Sequence, residues 1–91
     1  MISILVTADE CPVCDLGPIG YMVCKAGVYL RCVDCTSYWP VGVTPLYDNT
    51  LVLSDAEKED MRPATIEEVK DAGPIAGPAG RWSHADGFTP L

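Results

Sequence analysis

Four cysteines carry the clearest chemistry in this chain. They stand as Cys11-Pro12-Val13-Cys14 and Cys32-Val33-Asp34-Cys35, with seventeen residues between the pairs. That is the Cys-x2-Cys…Cys-x2-Cys spacing of a zinc site. Two residues between cysteines let a tight turn aim both sulfurs at one point, and the turn's N–H groups can hydrogen-bond the thiolates. Two such turns close a tetrahedral four-sulfur shell around one ion. A shell filled by four protein ligands keeps no open position, so the expected role of the ion is structural. One Zn2+ on Cys11, Cys14, Cys32 and Cys35 is the expected cofactor. Iron also accepts four thiolates and is the competing ion. Two disulfides are disfavoured, because an odd cysteine count arranged in Cys-x-x-Cys pairs fits metal binding in a reducing compartment.

The remaining nucleophile is Cys24. It falls in the middle of a β-rich run, and the chain's one histidine, His84, lies sixty residues further on. Free cysteine is often a small buried hydrophobe, and that is how Cys24 reads. There is no glycine-rich phosphate loop, no His-Glu-x-x-His and no Ser/His/Asp set with recognisable spacing. The chain therefore reads as non-enzymatic.

Positioning the cysteines requires a hairpin between the pairs. Ile19 to Cys24 and Val28 to Cys32 are β-rich runs joined by Lys25-Ala26-Gly27, with Gly27 suited to positive φ. Ile2 to Val6 and a stretch near Leu51 are further strand candidates. Ser54-Asp55-Ala56-Glu57 and Thr65-Ile66-Glu67-Glu68 both match the capping-box pattern. Pro63 would end the first helix, and Gly73-Pro74 the second, which presents Ile66 and Val69 to the core. The expected fold class is α+β. A metal hairpin over about 9–40 and acidic helices over about 54–72 form one domain (1–72), followed by an extended Gly/Pro-rich tail (73–91).

The Cys-Pro-Val-Cys turn, the Tyr29-Leu30-Arg31 lead-in and the second Cys-x-x-Cys resemble a zinc ribbon over roughly residues 9–40. The resemblance implies a small β-hairpin fold with a four-cysteine zinc site and a residue tolerant of left-handed dihedrals, such as Asp15, after a second cysteine. The family serves transcription factors, polymerase subunits, ribosomal proteins and adaptors, so it does not choose a function. A rubredoxin-like iron electron carrier shares the Cys-Pro-x-Cys turn. The second pair here lacks that family's proline, which favours zinc.

Charge narrows the partner. The chain has 91 residues, a formal charge of −7 and a pI near 4.3. Affinity for phosphate comes largely from Lys and Arg, and Lys25 and Arg31 are the only bases before residue 54. A transcription-associated, nucleic-acid-binding ribbon is the alternative that this scarcity disfavours. The preferred reading is an adaptor or inhibitor that binds another protein, one with a basic surface. An inhibitor of a host factor encoded by a phage, or an immunity protein against a basic toxin, fits the same profile. Candidate partner-binding residues are the acids Glu57, Glu59, Glu67 and Glu68 and the aromatics Trp39, Trp82 and Phe88. Trp39 reads first as a core residue that covers the metal hairpin, with the exposed partner anchor as the alternative. No apolar run is long enough to span a bilayer, and the apolar start lacks the basic region of a signal peptide, so a cytoplasmic location is expected.

Overall fold

The structure, a computed structural model, describes residues 3–35, 37–73 and 77–91. The parts assigned above to Ile2 and Pro74 lie outside those residues. The chain forms β1 (Ile4–Glu10), β2 (Pro18–Cys24), β3 (Gly27–Cys32), β4 (Tyr38–Pro40), β5 (Arg62–Pro63), α1 (Ile66–Ala72), β6 (Gly80–Ser83) and β7 (Gly87–Pro90). The strands make one antiparallel sheet in the order β4-β3-β2-β1-β6-β7, and β5 adds to β2.

The central hairpin follows from local chemistry. β2 and β3 pair from Ile19↔Cys32 to Cys24↔Gly27, so the loop is the two residues Lys25 and Ala26. Gly27 takes φ +126°, a conformation that a side chain would strain. β1 lies against β2 so closely that a Cβ on Gly20 would stand 2.6 Å from Ile4 Cγ2. Glycine there lets the two strands meet.

One face of the sheet holds the core. Leu5, Ile19, Tyr21, Leu30 and Trp39 are buried together with Cys11, Cys32, Ala64 and Val69. Burial pushes the Tyr21 phenol up, and the nearby Asp9 charge adds to this. α1 brings Val69 and part of Ile66 to the cluster. Thr65 accepts from the Glu68 N–H, Glu68 reaches back to the Thr65 N–H, and Gly73 closes the helix at φ +66°.

The α+β expectation is overturned, because the fold is mainly antiparallel sheet with one helix of seven residues among those described. Residues 54–61 make their capping box, with Glu57 N–H donating to Ser54 Oγ (3.2 Å) and Ser54 N–H to Glu57 Oε1 (3.1 Å). The helix does not propagate beyond it. The Glu57 and Glu59 carbonyls accept instead from the N–H groups of Ala26 and Lys25 in the hairpin loop. Asp60 turns left-handed at φ +59°, and the chain straightens into β5. A nucleus this short does not outlast such competition.

The extended tail is likewise corrected. Residues 80–90 fold into the β6–β7 hairpin, and β6 pairs with β1 from Ile4↔Trp82 to Val6↔Gly80. Gly87 at φ +67° and Asp86 N–H donating to Ser83 Oγ (3.1 Å) shape its turn. The strand expected near Leu51 is a single bridge to Tyr38. β1 extends to Glu10 and delivers Cys11 to the buried core cluster. No helix among the described residues is long and apolar enough to cross a membrane.

Candidate metal centre

The first cysteine turn begins where β1 ends. Asp15 N–H donates to the Cys11 carbonyl (3.0 Å), and Cys11 N–H to the Gly17 carbonyl (3.0 Å). Asp15 takes φ +56°, the left-handed conformation that this residue tolerates. The second turn begins at Cys32, the last residue of β3. Cys32 N–H donates to the Ser37 carbonyl (2.9 Å), and Val33 N–H to the Pro18 carbonyl (3.2 Å), which ties one turn to the other. Gly17 sits at that junction. A Cβ there would strike the Asp34 carboxylate.

These turns bring Cys11, Cys14, Cys32 and Cys35 together, with all four Sγ atoms within 4.8 Å of one another. Cys11 Sγ stands 3.5 Å from Cys35 Sγ, and Cys14 Sγ 3.6 Å from Cys32 Sγ. Metal–sulfur bonds of about 2.3 Å in a tetrahedron place sulfurs about 3.8 Å apart. The cluster therefore matches the size of a one-ion shell. None of the five cysteines is joined in a disulfide.

The surroundings favour thiolates. Val13 N–H donates to Cys11 Sγ, and the N–H groups of Asp34 and Cys35 donate to Cys32 Sγ, each at 3.4 Å. Such donors offset negative charge on sulfur and fix its lone pairs. Three of the sulfurs hold their protons unequally. Burial pushes the Cys11 thiol up and the Cys32 thiol up to about 12. Burial also acts upward on Cys35. It is outweighed by the Ser37 hydroxyl (3.3 Å) and N–H and by the neighbouring thiols, which bring Cys35 down to about 6. Cys35 thus ionises more readily than Cys11 and Cys32, and a bound cation would favour the thiolate form of each ligand. Four soft sulfur donors suit zinc or iron and leave no room for a substrate on the ion.

The other singled-out residues do not join this cluster. Trp39 is 0 % exposed, and its Nε1–H donates to the Leu46 carbonyl (2.9 Å). It is a core ring beneath the cysteine turns, with no surface for a partner. Glu57 is exposed, and its carboxylate serves the Ser54 cap, which holds its pKa below the ordinary range. Glu59 is exposed and pairs with Lys25 Nζ (3.5 Å). Glu67 is exposed on α1. Glu68 is half-buried and grips Arg62 through two bonds of 2.8 Å, which lowers its pKa to about 2.

Trp82 is half-buried and Phe88 is exposed. They face each other across the β6–β7 hairpin, and the His84 ring meets Trp82 edge-on at 4.6 Å. Cys24 is buried on β2, beside Lys25 and Arg62 at a small cleft.

Sequence reasoning missed Ser37 and Gly17. Ser37 lies two residues after a ligand-type cysteine, and Gly17 three after another, positions at which a turn's closing contacts fall. The chain matches no protein-family model, no curated protein and no solved structure.

Proposed function

We propose that this protein is a non-enzymatic binding module. Its sheet is stapled by one structural zinc ion on Cys11, Cys14, Cys32 and Cys35, and it acts by docking on another protein that presents a basic surface. The observation that carries the reading is the closed cluster of four sulfurs within 4.8 Å, set against the core with Cys11 and Cys32 fully buried. A closed sulfur shell contributes folding free energy and offers no coordination site for chemistry. A chain of 91 residues has a small core, and a metal staple relieves that weakness.

The net charge of −7 supports the second half of the reading, since bound Zn2+ with four thiolates adds a further −2. Acids such as Glu67 lie on the surface, where they steer association with a cationic partner. Thiols of this kind persist in a reducing compartment such as the cytoplasm. An inhibitor or adaptor role follows from occupying the partner's basic surface.

The test combines elemental analysis of the purified protein with affinity capture from the native cell. One zinc per chain and a partner whose retention falls with salt are expected. A red iron-loaded protein would replace the zinc assignment with an electron carrier. Tight binding to DNA or RNA with a steep salt dependence would overturn the protein-partner reading.

A further inference from the structure

A groove of about 420 Å3 runs between the first cysteine turn and the C-terminal hairpin. Its apolar surface includes Leu16, Trp82 and Phe88, and its acidic rim is Asp9, Glu10 and Asp15. Leu16 is 80 % exposed and Phe88 51 %, and with the half-buried Trp82 they line one groove instead of standing singly on the surface. The three carboxylates are exposed and make no ion pair or side-chain hydrogen bond among the described residues. No Lys or Arg lines the groove. The pairing of β1 with β6 ends at Val6, whose carbonyl also accepts from the Ala79 N–H (2.9 Å), and Ala79 lines the groove beside the last residues of β1.

We propose that this groove receives a peptide segment of the partner in which basic and aliphatic side chains alternate. The proposal rests on the protein-binding reading above and gives it a place. An arginine side chain fits the site in both its parts. Its stem covers Leu16 and Phe88, while its guanidinium meets the face of Trp82 and the rim carboxylates. An extended segment lying in the groove beside the end of β1 sends alternate side chains towards its apolar floor and its acidic rim. The same rim repels phosphate and a second copy of this acidic chain.

The groove is coupled to the metal centre. Asp15 and Leu16 directly follow Cys14, and the Cys11 N–H to Gly17 carbonyl bond holds this wall in place. An ion on the cysteines therefore keeps the wall in its binding position.

The test titrates zinc-loaded protein into three fluorescent end-blocked peptides, alternating Arg with Leu, Glu with Leu, and Arg with Ser, and reads anisotropy. The Arg-Leu peptide should bind at least about tenfold more tightly than either of the others. Asp9→Asn, Glu10→Gln and Asp15→Asn together should weaken it by about tenfold or more, from three cooperating charge contacts. Trp82→Leu should weaken it severalfold, whereas Trp82→Phe should retain most of the binding, with melting curves checking that each variant is folded. Neutralising Glu57, Glu59, Glu67 and Glu68, which lie outside the groove, should weaken it by less than about twofold, as expected of screened surface charges acting only at long range. If that last set abolishes binding and the groove variants do not, the groove assignment fails while the acidic protein-binding reading survives. Equal binding of the Arg-Ser peptide, or no binding of Arg-Leu to the zinc-loaded protein, overturns the groove assignment. The wider reading is then judged by partner capture alone.

Discussion

Replacing Trp39 separates a core ring from a partner anchor. Its side chain is fully buried among Leu30, Tyr21 and the cysteine turns, and its indole N–H is satisfied by the Leu46 carbonyl at 2.9 Å. Truncating a buried Trp to Ala removes its transfer free energy and leaves a cavity, which costs about 3–5 kcal/mol. Trp39→Phe keeps a ring, loses the hydrogen bond and leaves a smaller void, so about 1–2 kcal/mol is expected. A domain of this size has a total stability of about 5–14 kcal/mol. Trp39→Ala therefore removes a large share of it and should lower the melting temperature by roughly 15–30 °C. The assay is urea unfolding of zinc-loaded wild type, Trp39→Phe and Trp39→Ala, followed by circular dichroism, with free zinc held equal because a bound ion shifts apparent stability. A cost below about 1 kcal/mol for Trp39→Ala would refute the packing argument and return Trp39 to the surface.

Further outcomes are equally specific. Cys24→Ser should be tolerated, at a cost of about 1 kcal/mol with full metal content by elemental analysis, because Cys24 is a small buried group outside the cluster. Gly80→Ala would drive a Cβ into the Thr89 carbonyl on the partner strand, and should cost about 1–3 kcal/mol and loosen the C-terminal hairpin in hydrogen exchange. Glu68 has a folded pKa lowered to about 2 from an ordinary 4.5 by Arg62. Its contribution is present above the unfolded value and is lost as pH falls through the folded one. Glu68→Gln keeps the capping geometry, so its melting deficit against zinc-loaded wild type should be constant near neutrality and should begin to shrink as pH falls towards 4.5, measured only where elemental analysis shows the ion still bound.

What could be read from the sequence was what local chemistry dictates. The two Cys-x-x-Cys turns are legible because an ion accepts few arrangements of donors. The β2–β3 hairpin is legible because β-rich runs flank a Gly27 that needs positive φ. The Thr65 cap and the Gly73 stop also act within a few residues, and α1 forms as they indicate. Ser54 shows where this reasoning ends. Its capping box closes, yet the distant loop at Lys25 and Ala26 claims the carbonyls that a helix would use.

The tail hairpin was hidden for a related reason. Gly and Pro suggest extended coil, while residues 80–82 are ordered by pairing with β1, more than seventy residues earlier, and β7 then folds back on them. That same long-range pairing creates the groove beside Trp82, which no local pattern announces. At the cysteine cluster, which four residues come together was legible. The low position of Cys35 was not, since it depends on the Ser37 hydroxyl and on thiols brought close by folding.

The most direct test of the account is the metal content of the folded protein, measured together with its fate on chelation. One zinc per chain is predicted, bound by a colourless protein that loses its sheet when the ion is stripped and regains it when zinc returns. Cys32→Ser should fail to retain the ion and should melt broadly. A metal-free protein that keeps its fold, or a Cys32→Ser variant with unchanged zinc content and melting profile, would contradict the account.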